Sequence, residues 1–108
     1  AGEINYSMAL LAFKERLQRQ RHVLQHMDDA TTKPGDKEQL ELDIARSSEI
    51  IAEIHEQRGE IDRATSYLVD AVEIKETILH EMDPEMLTTW NILAMLLVRG
   101  GSYSEALE

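Results

Sequence analysis

A chain of 108 residues has room for one domain with a modest core, and the absence of cysteine removes disulfide frameworks, thiolate metal sites and Cys nucleophiles together. A reducing, cytoplasmic setting is the natural expectation. The formal net charge of −10 is uneven: residues 1–35 carry 5 Lys and Arg against 4 Asp and Glu, and residues 36–108 carry 6 against 17, so the acidic body disfavours nucleic acid and anionic membrane surfaces and would draw in basic segments.

The first helix is expected from Asn5 to about Asp28. Asn5 is its N-cap, and Ala9, Phe13, Leu17, Leu24 and Met27 form one stripe, with Gln20 filling a turn of it. Lys14, Arg16, Arg19 and Arg21 are assigned to the opposite face. Thr31, Thr32 and Pro34 mark the loop that follows. Asp36 then offers an N-cap with Gln39 three residues on, in the manner of a capping box. A second helix runs to Arg58, with Leu40, Ile44, Ile51 and Ile54 inward, Ser47 and Ala52 as small contact points, and Gly59 as its stop. His55, near that end, is read as a cation complementing the helix dipole.

A third helix is expected from Glu60 to Met82 on Ile61, Ala64, Leu68, Ala71, Val72, Ile78 and Leu79. Its alanines would allow a close crossing. Asp83 and Pro84 are the cap and first residue of a fourth helix reaching Arg99. That helix is apolar on more than one side from Ile92 to Val98, a run too short to span a membrane. Gly100 and Gly101 end it, and Ser102 with Glu105 forms a further capping box.

One turn occurs twice. Gly59-Glu60-Ile61-Asp62-Arg63-Ala64 returns 42 residues later as Gly101-Ser102-Tyr103-Ser104-Glu105-Ala106, and a fixed period of this size signals stacked helical hairpins. The pattern Trp90-x-x-Leu93-Ala94, Gly101-x-Tyr103-x-x-Ala106 resembles the tetratricopeptide repeat. Its 42-residue period, with Ala71 to Glu76, Leu79, Asp83-Pro84, Thr88-Thr89 and Asn91-x-Leu93-Ala94, is similar to the long variant found in kinesin light chains. His80, Leu97 and the 55 residues from Ala9 to Ala64 depart from that variant, so kinesin function is not implied.

The resemblance implies an all-α stack of antiparallel helix-turn-helix repeats, a solenoid fragment forming one domain over 1–108. Residues 5–28, through Tyr6-x-x-Ala9-x-x-x-Phe13, would be the second helix of an incomplete repeat, 36–82 a full repeat and 84–108 a truncated one. Trp90 would be buried. A free-standing bundle of three or four helices is the alternative fold. Phe13, Leu17, Leu96 and Leu97 are expected to be incompletely covered at open ends. The chain would then be a piece of a longer protein, or a homo-oligomer pairing through those ends.

Chemistry is sparse. His22 and His26 are one helical turn apart without a third ligand in sequence, and no phosphate loop or nucleophile elbow is present. Neither an enzyme nor a cofactor is expected. Carrying the family's groove positions over gives Arg46, Glu49, Glu53, Glu56 and Gln57 in one repeat and Thr88, Asn91, Met95, Val98 and Arg99 in the next. Glu49 and Glu53 stand where a clamp for acidic chaperone tails needs cations. The implied partner is instead a basic peptide or helix with apolar anchors.

Overall fold

The computed structural model describes residues 5–28 and 30–101, folded as four helices with no strand among them. Helix α1 spans Tyr6–Gln25, and the Asn5 side chain accepts from the Met8 amide at 3.1 Å as its cap. Leu10 and Leu17 are its buried residues, with Tyr6, Ala9, Phe13 and Leu24 packed around them. Leu10 lies seven residues before Leu17, two turns along the same line, and belongs to the stripe that Ala9 and Phe13 only flank.

Asp28 holds the first connection. Its carboxylate accepts from the Ala30 amide and its carbonyl from the Thr32 amide and hydroxyl. The chain then reverses at Gly35, whose φ of +93° suits a residue without Cβ. That turn makes Gly35 the N-cap of α2 (Asp36–Gln57), and no side-chain cap is present. Asp36 is already helical, so the expected capping box does not form; Gln39 bonds Asp43 instead. Asp36 and Glu38 still complement the dipole in the first turn.

Gly59 closes α2 as expected. Its φ is +80°, its amide bonds the Glu56 carbonyl at 2.9 Å, and the Glu60 amide bonds the His55 carbonyl at 2.9 Å. These two bonds are the Schellman pair that satisfies carbonyls left over at a helix end. Gly101 has φ +83°, and its amide bonds Val98 at 3.1 Å, where Val98 stands 42 residues beyond Glu56. The Ser102–Glu105 box, Tyr103 and Ala106 lie outside the described residues.

Helix α3 spans Ile61–Ile78, ending four residues before the expected Met82. Leu79 is extended, the His80 ring accepts from the Met82 amide at 3.0 Å, and the Asp83 amide bonds the His80 carbonyl. Those local bonds compete with another helical turn. Ala64 and Ala71 are fully buried, as a close crossing requires. Helix α4 spans Pro84–Arg99, with Pro84 first and Asp83 capping the Glu85 amide at 2.8 Å.

The helices pack in order, each antiparallel to its predecessor: α1 on α2, α2 on α3, α3 on α4. One apolar cluster joins α1 to α2 through Leu10, Leu17, Ile44, Ile51 and Ile54. A second joins Ala52, Ala64, Leu68, Val72, Met86, Leu93 and Leu96, and Tyr67 touches both. Two expectations for α4 and the ends are corrected here. Leu17 and Leu96 are buried, while Trp90 is 44% exposed. The inward line of α4 is Met86, Thr89, Leu93 and Leu96, and Trp90 is one position out of phase with it. Forty-two residues earlier, Ser48 occupies the same register of α2 and is fully buried.

Candidate functional site: the cleft between α2 and α4

Side chains of α2 and α4 are joined by charge and hydrogen bonds. Lys75 enters from the last turn of α3 and is only 1% exposed, which is rare for an ammonium and demands partners. It has three. Its Nζ bonds the Glu49 carboxylate of α2, Glu85 Oε2 of α4 at 3.0 Å and the Thr89 hydroxyl at 2.9 Å. Thr89 in turn lies 2.8 Å from Glu49 Oε1. Arg46 of α2 closes the far side, with Nη2 on Glu85 Oε1 at 2.9 Å and Nε on Oε2 at 3.3 Å, and its other nitrogen near Asp43.

Hydrogen bonding to Arg46 holds the Glu85 carboxyl below the ordinary glutamate range, helped by Lys75 and opposed by partial burial. The same bond raises Arg46. Sequence reading missed Lys75, although the signal was there. Leu68, Ala71, Val72 and Lys75 follow i, i+3, i+4, i+7, so the lysine stands on the buried stripe.

Below this network a cleft of about 280 Å³ opens between Glu49, Ala52, Glu53 and Glu56 on one wall and Ile92, Met95 and Leu96 on the other. Four of the ten predicted groove residues, Glu49, Glu53, Glu56 and Met95, meet there. Arg99 attaches to the rim through Glu56, 2.9 Å away. Arg46 is taken up by Glu85. Gln57, Thr88, Asn91 and Val98 are exposed but do not line the cleft, and Thr88 donates to the Pro84 carbonyl. Ala52, Ile92 and Leu96 complete the apolar floor and were not anticipated. Of the three carboxylates, only Glu53 is without an ion pair among the described residues.

His55 is fully buried, where an end-of-helix surface cation was expected. The glycine turn brings Glu60 back so that its Oε1 lies 3.1 Å from Nδ1, and the ring stacks on Tyr67 with centroids 5.6 Å apart. This contact, with Arg58 and Arg63 nearby, holds Glu60 below the ordinary glutamate range. His55 Nε2 and Ser48 Oγ are buried without a hydrogen-bond partner among the described residues. His22 and His26 have ring centroids 4.2 Å apart, but no group of three or more potential ligands surrounds them or any other point among the described residues. No described helix is long and apolar enough to cross a membrane. The chain matches no protein-family model, no curated protein and no solved structure.

Proposed function

We propose that the chain is a non-enzymatic interaction scaffold of tetratricopeptide-repeat type, whose α2–α4 cleft takes a short peptide carrying Lys or Arg beside an apolar anchor. The observation that carries this reading is the division of the cleft: carboxylates on the α2 wall, Ile92, Met95 and Leu96 opposite. An apolar side chain would rest on Ala52 and Leu96 while a cation meets Glu53, the one carboxylate there that no cation engages among the described residues. The repeat assignment is supported by the two glycine turns 42 residues apart, which share backbone angle and hydrogen bond, and by the buried alanines between α2 and α3.

A labelled peptide with Arg two residues from Leu tests the proposal by fluorescence anisotropy. Met95→Glu should weaken binding about tenfold or more by charging the floor, and Glu53→Gln should weaken it about two- to fivefold, as expected for an exposed pair. Glu49→Gln and Glu56→Gln are unsuitable probes, because Lys75 and Arg99 depend on them. Binding indifferent to both Met95→Glu and Glu53→Gln would refute the cleft assignment.

A specific observation favours a second reading, homotypic assembly. Leu87 and Trp90 are 43% and 44% exposed and lie with exposed Ala94 along one side of α4. The same register in α2, Ala45, Ser48 and Ala52, is buried. Light scattering over a concentration series decides this, since a monomer at all concentrations removes self-pairing.

A further inference from the structure

We infer that α1 and Tyr67 of α3 form a second binding site, a cationic cleft that receives a carboxylate-bearing extended peptide. The basic cluster of α1 does not lie on one solvated face. Lys14 and Arg21 sit on one flank, in a cleft of about 480 Å³ with Gln18, His22, Gln25 and Tyr67 over a floor of Leu17. Arg16 and Arg19 sit on the other flank with Ala12 and Val23. Acidic residues outnumber Lys and Arg 21 to 11 in the whole chain, yet none lines the Lys14–Arg21 cleft.

The cations there are also unengaged, as are Arg16, Arg19, Lys33 and Lys37 among the described residues, in contrast to every Lys and Arg from Arg46 onward. Arg46, Arg58, Arg63, Lys75 and Arg99 each bond a carboxylate, whereas Lys14 and Arg21 have no such partner among the described residues. Lys14 is nevertheless placed. The Lys14 ammonium lies 5.8 Å from the Tyr67 ring centroid, and Tyr67 is stacked on buried His55, itself anchored by Glu60. A positioned ammonium and a neighbouring guanidinium beside amide donors, with no internal anion among the described residues, form a receptor for an external one.

Spacing selects the ligand's form. Lys14, Gln18, Arg21 and Gln25 run along one line of α1, so Lys14 and Arg21 are about 10 Å apart along the axis. Carboxylates three residues apart on an extended polyproline II segment lie on one side and are separated by about 9 Å, at roughly 3.1 Å per residue. The Gln18 amide then faces the intervening backbone, and Gln25 the segment beyond Arg21. A longer phosphate backbone would run from this cleft into the acidic body and be repelled, which favours a short acidic peptide over nucleic acid.

The test uses a labelled Gly/Ser peptide with Glu at every third position, titrated by anisotropy at low salt. Saturable binding is expected, weakened about tenfold or more by Lys14→Gln with Arg21→Gln, and changed less than about twofold by Arg16→Gln with Arg19→Gln, which removes equal charge from the other flank. Circular dichroism confirms that each variant is folded. Glu53→Gln should leave this binding unchanged, which separates it from the α2–α4 cleft. Absence of binding, equal loss in both double variants, or tighter binding of single-stranded oligouridine of matched charge would each overturn the inference.

Discussion

Lys75→Met deletes the charge at the junction of three helices while keeping most of the unbranched stem that packs there. Glu49 then loses its only cation among the described residues, and Thr89 loses a donor; Glu85 keeps Arg46. Removing one member of a fully buried pair costs about 3–5 kcal/mol. Here the two carboxylates are 24% and 32% exposed and water can take up part of the lost interaction, which lowers the expected loss to roughly 2–3 kcal/mol. With a urea m-value of about 1–3 kcal/mol/M, the unfolding midpoint should fall by roughly 1–2 M, followed by far-UV circular dichroism. Adding Glu49→Gln should recover about 1 kcal/mol, because the stranded charge is gone. A midpoint unmoved by Lys75→Met would refute the reasoning, since an ammonium with those partners cannot be removed without consequence.

Gly59→Ala should cost about 1–2 kcal/mol by forcing a Cβ into a left-handed backbone, with no steric share because the added atom meets nothing within 4 Å; chemical denaturation measures it. Ala71→Leu should cost about 1–3 kcal/mol by overfilling the α2–α3 crossing, and a neutral result would mean that the helices do not meet there. Trp90→Ala should cost roughly 1–2 kcal/mol, below the 3–5 typical of a fully buried aromatic, because nearly half of the ring is already in water. Stability should also fall in acid. Glu60 and Glu85 titrate below their usual 4.5 when folded, so the folded chain binds fewer protons than the unfolded one in that range. Their contribution is complete above that value and is lost as pH drops through the folded values. Melting temperature should therefore hold level down to about pH 5 and decline below about 4.5, less steeply in Glu60→Gln.

Signals written in adjacent residues were legible in advance. Asn5, Asp83-Pro84, Gly59 and Gly101 each act within a few positions of the helix end they mark, and the structure places them as read. Ala64 and Ala71 were recognisable as crossing points because small residues on an apolar line have few other uses. Charged and polar residues on the same lines were harder. Lys75 is buried because distant carboxylates, Glu49 and Glu85, meet it, and such partners become neighbours only after the hairpins close, while His55 meets Glu60 only through the geometry of the Gly59 turn. Trp90 failed for another reason: the contacts of α4 turn Met86, Thr89, Leu93 and Leu96 inward and leave Trp90 one position out of phase, a rotation that its own sequence context does not report. The candidate cleft was half legible, since the α2 wall follows from helical phase, while the choice of Ile92 over Asn91 opposite depends on how α4 is rotated by its contacts.

Backbone-close packing joins only consecutive helices, and this shapes how the molecule comes apart. Every such contact closes a short stretch of chain, a topology associated with rapid folding. Helix α1 has backbone-close contact with α2 and only side-chain contact with α3 through Tyr67, whereas α4 adds the Lys75 and Arg46 ties to its contact with α3. Amide protons in α1 should thus exchange first, those of α4 next and those of the α2–α3 hairpin last, so that opening proceeds by peeling from the amino-terminal side and not by a single all-or-none event.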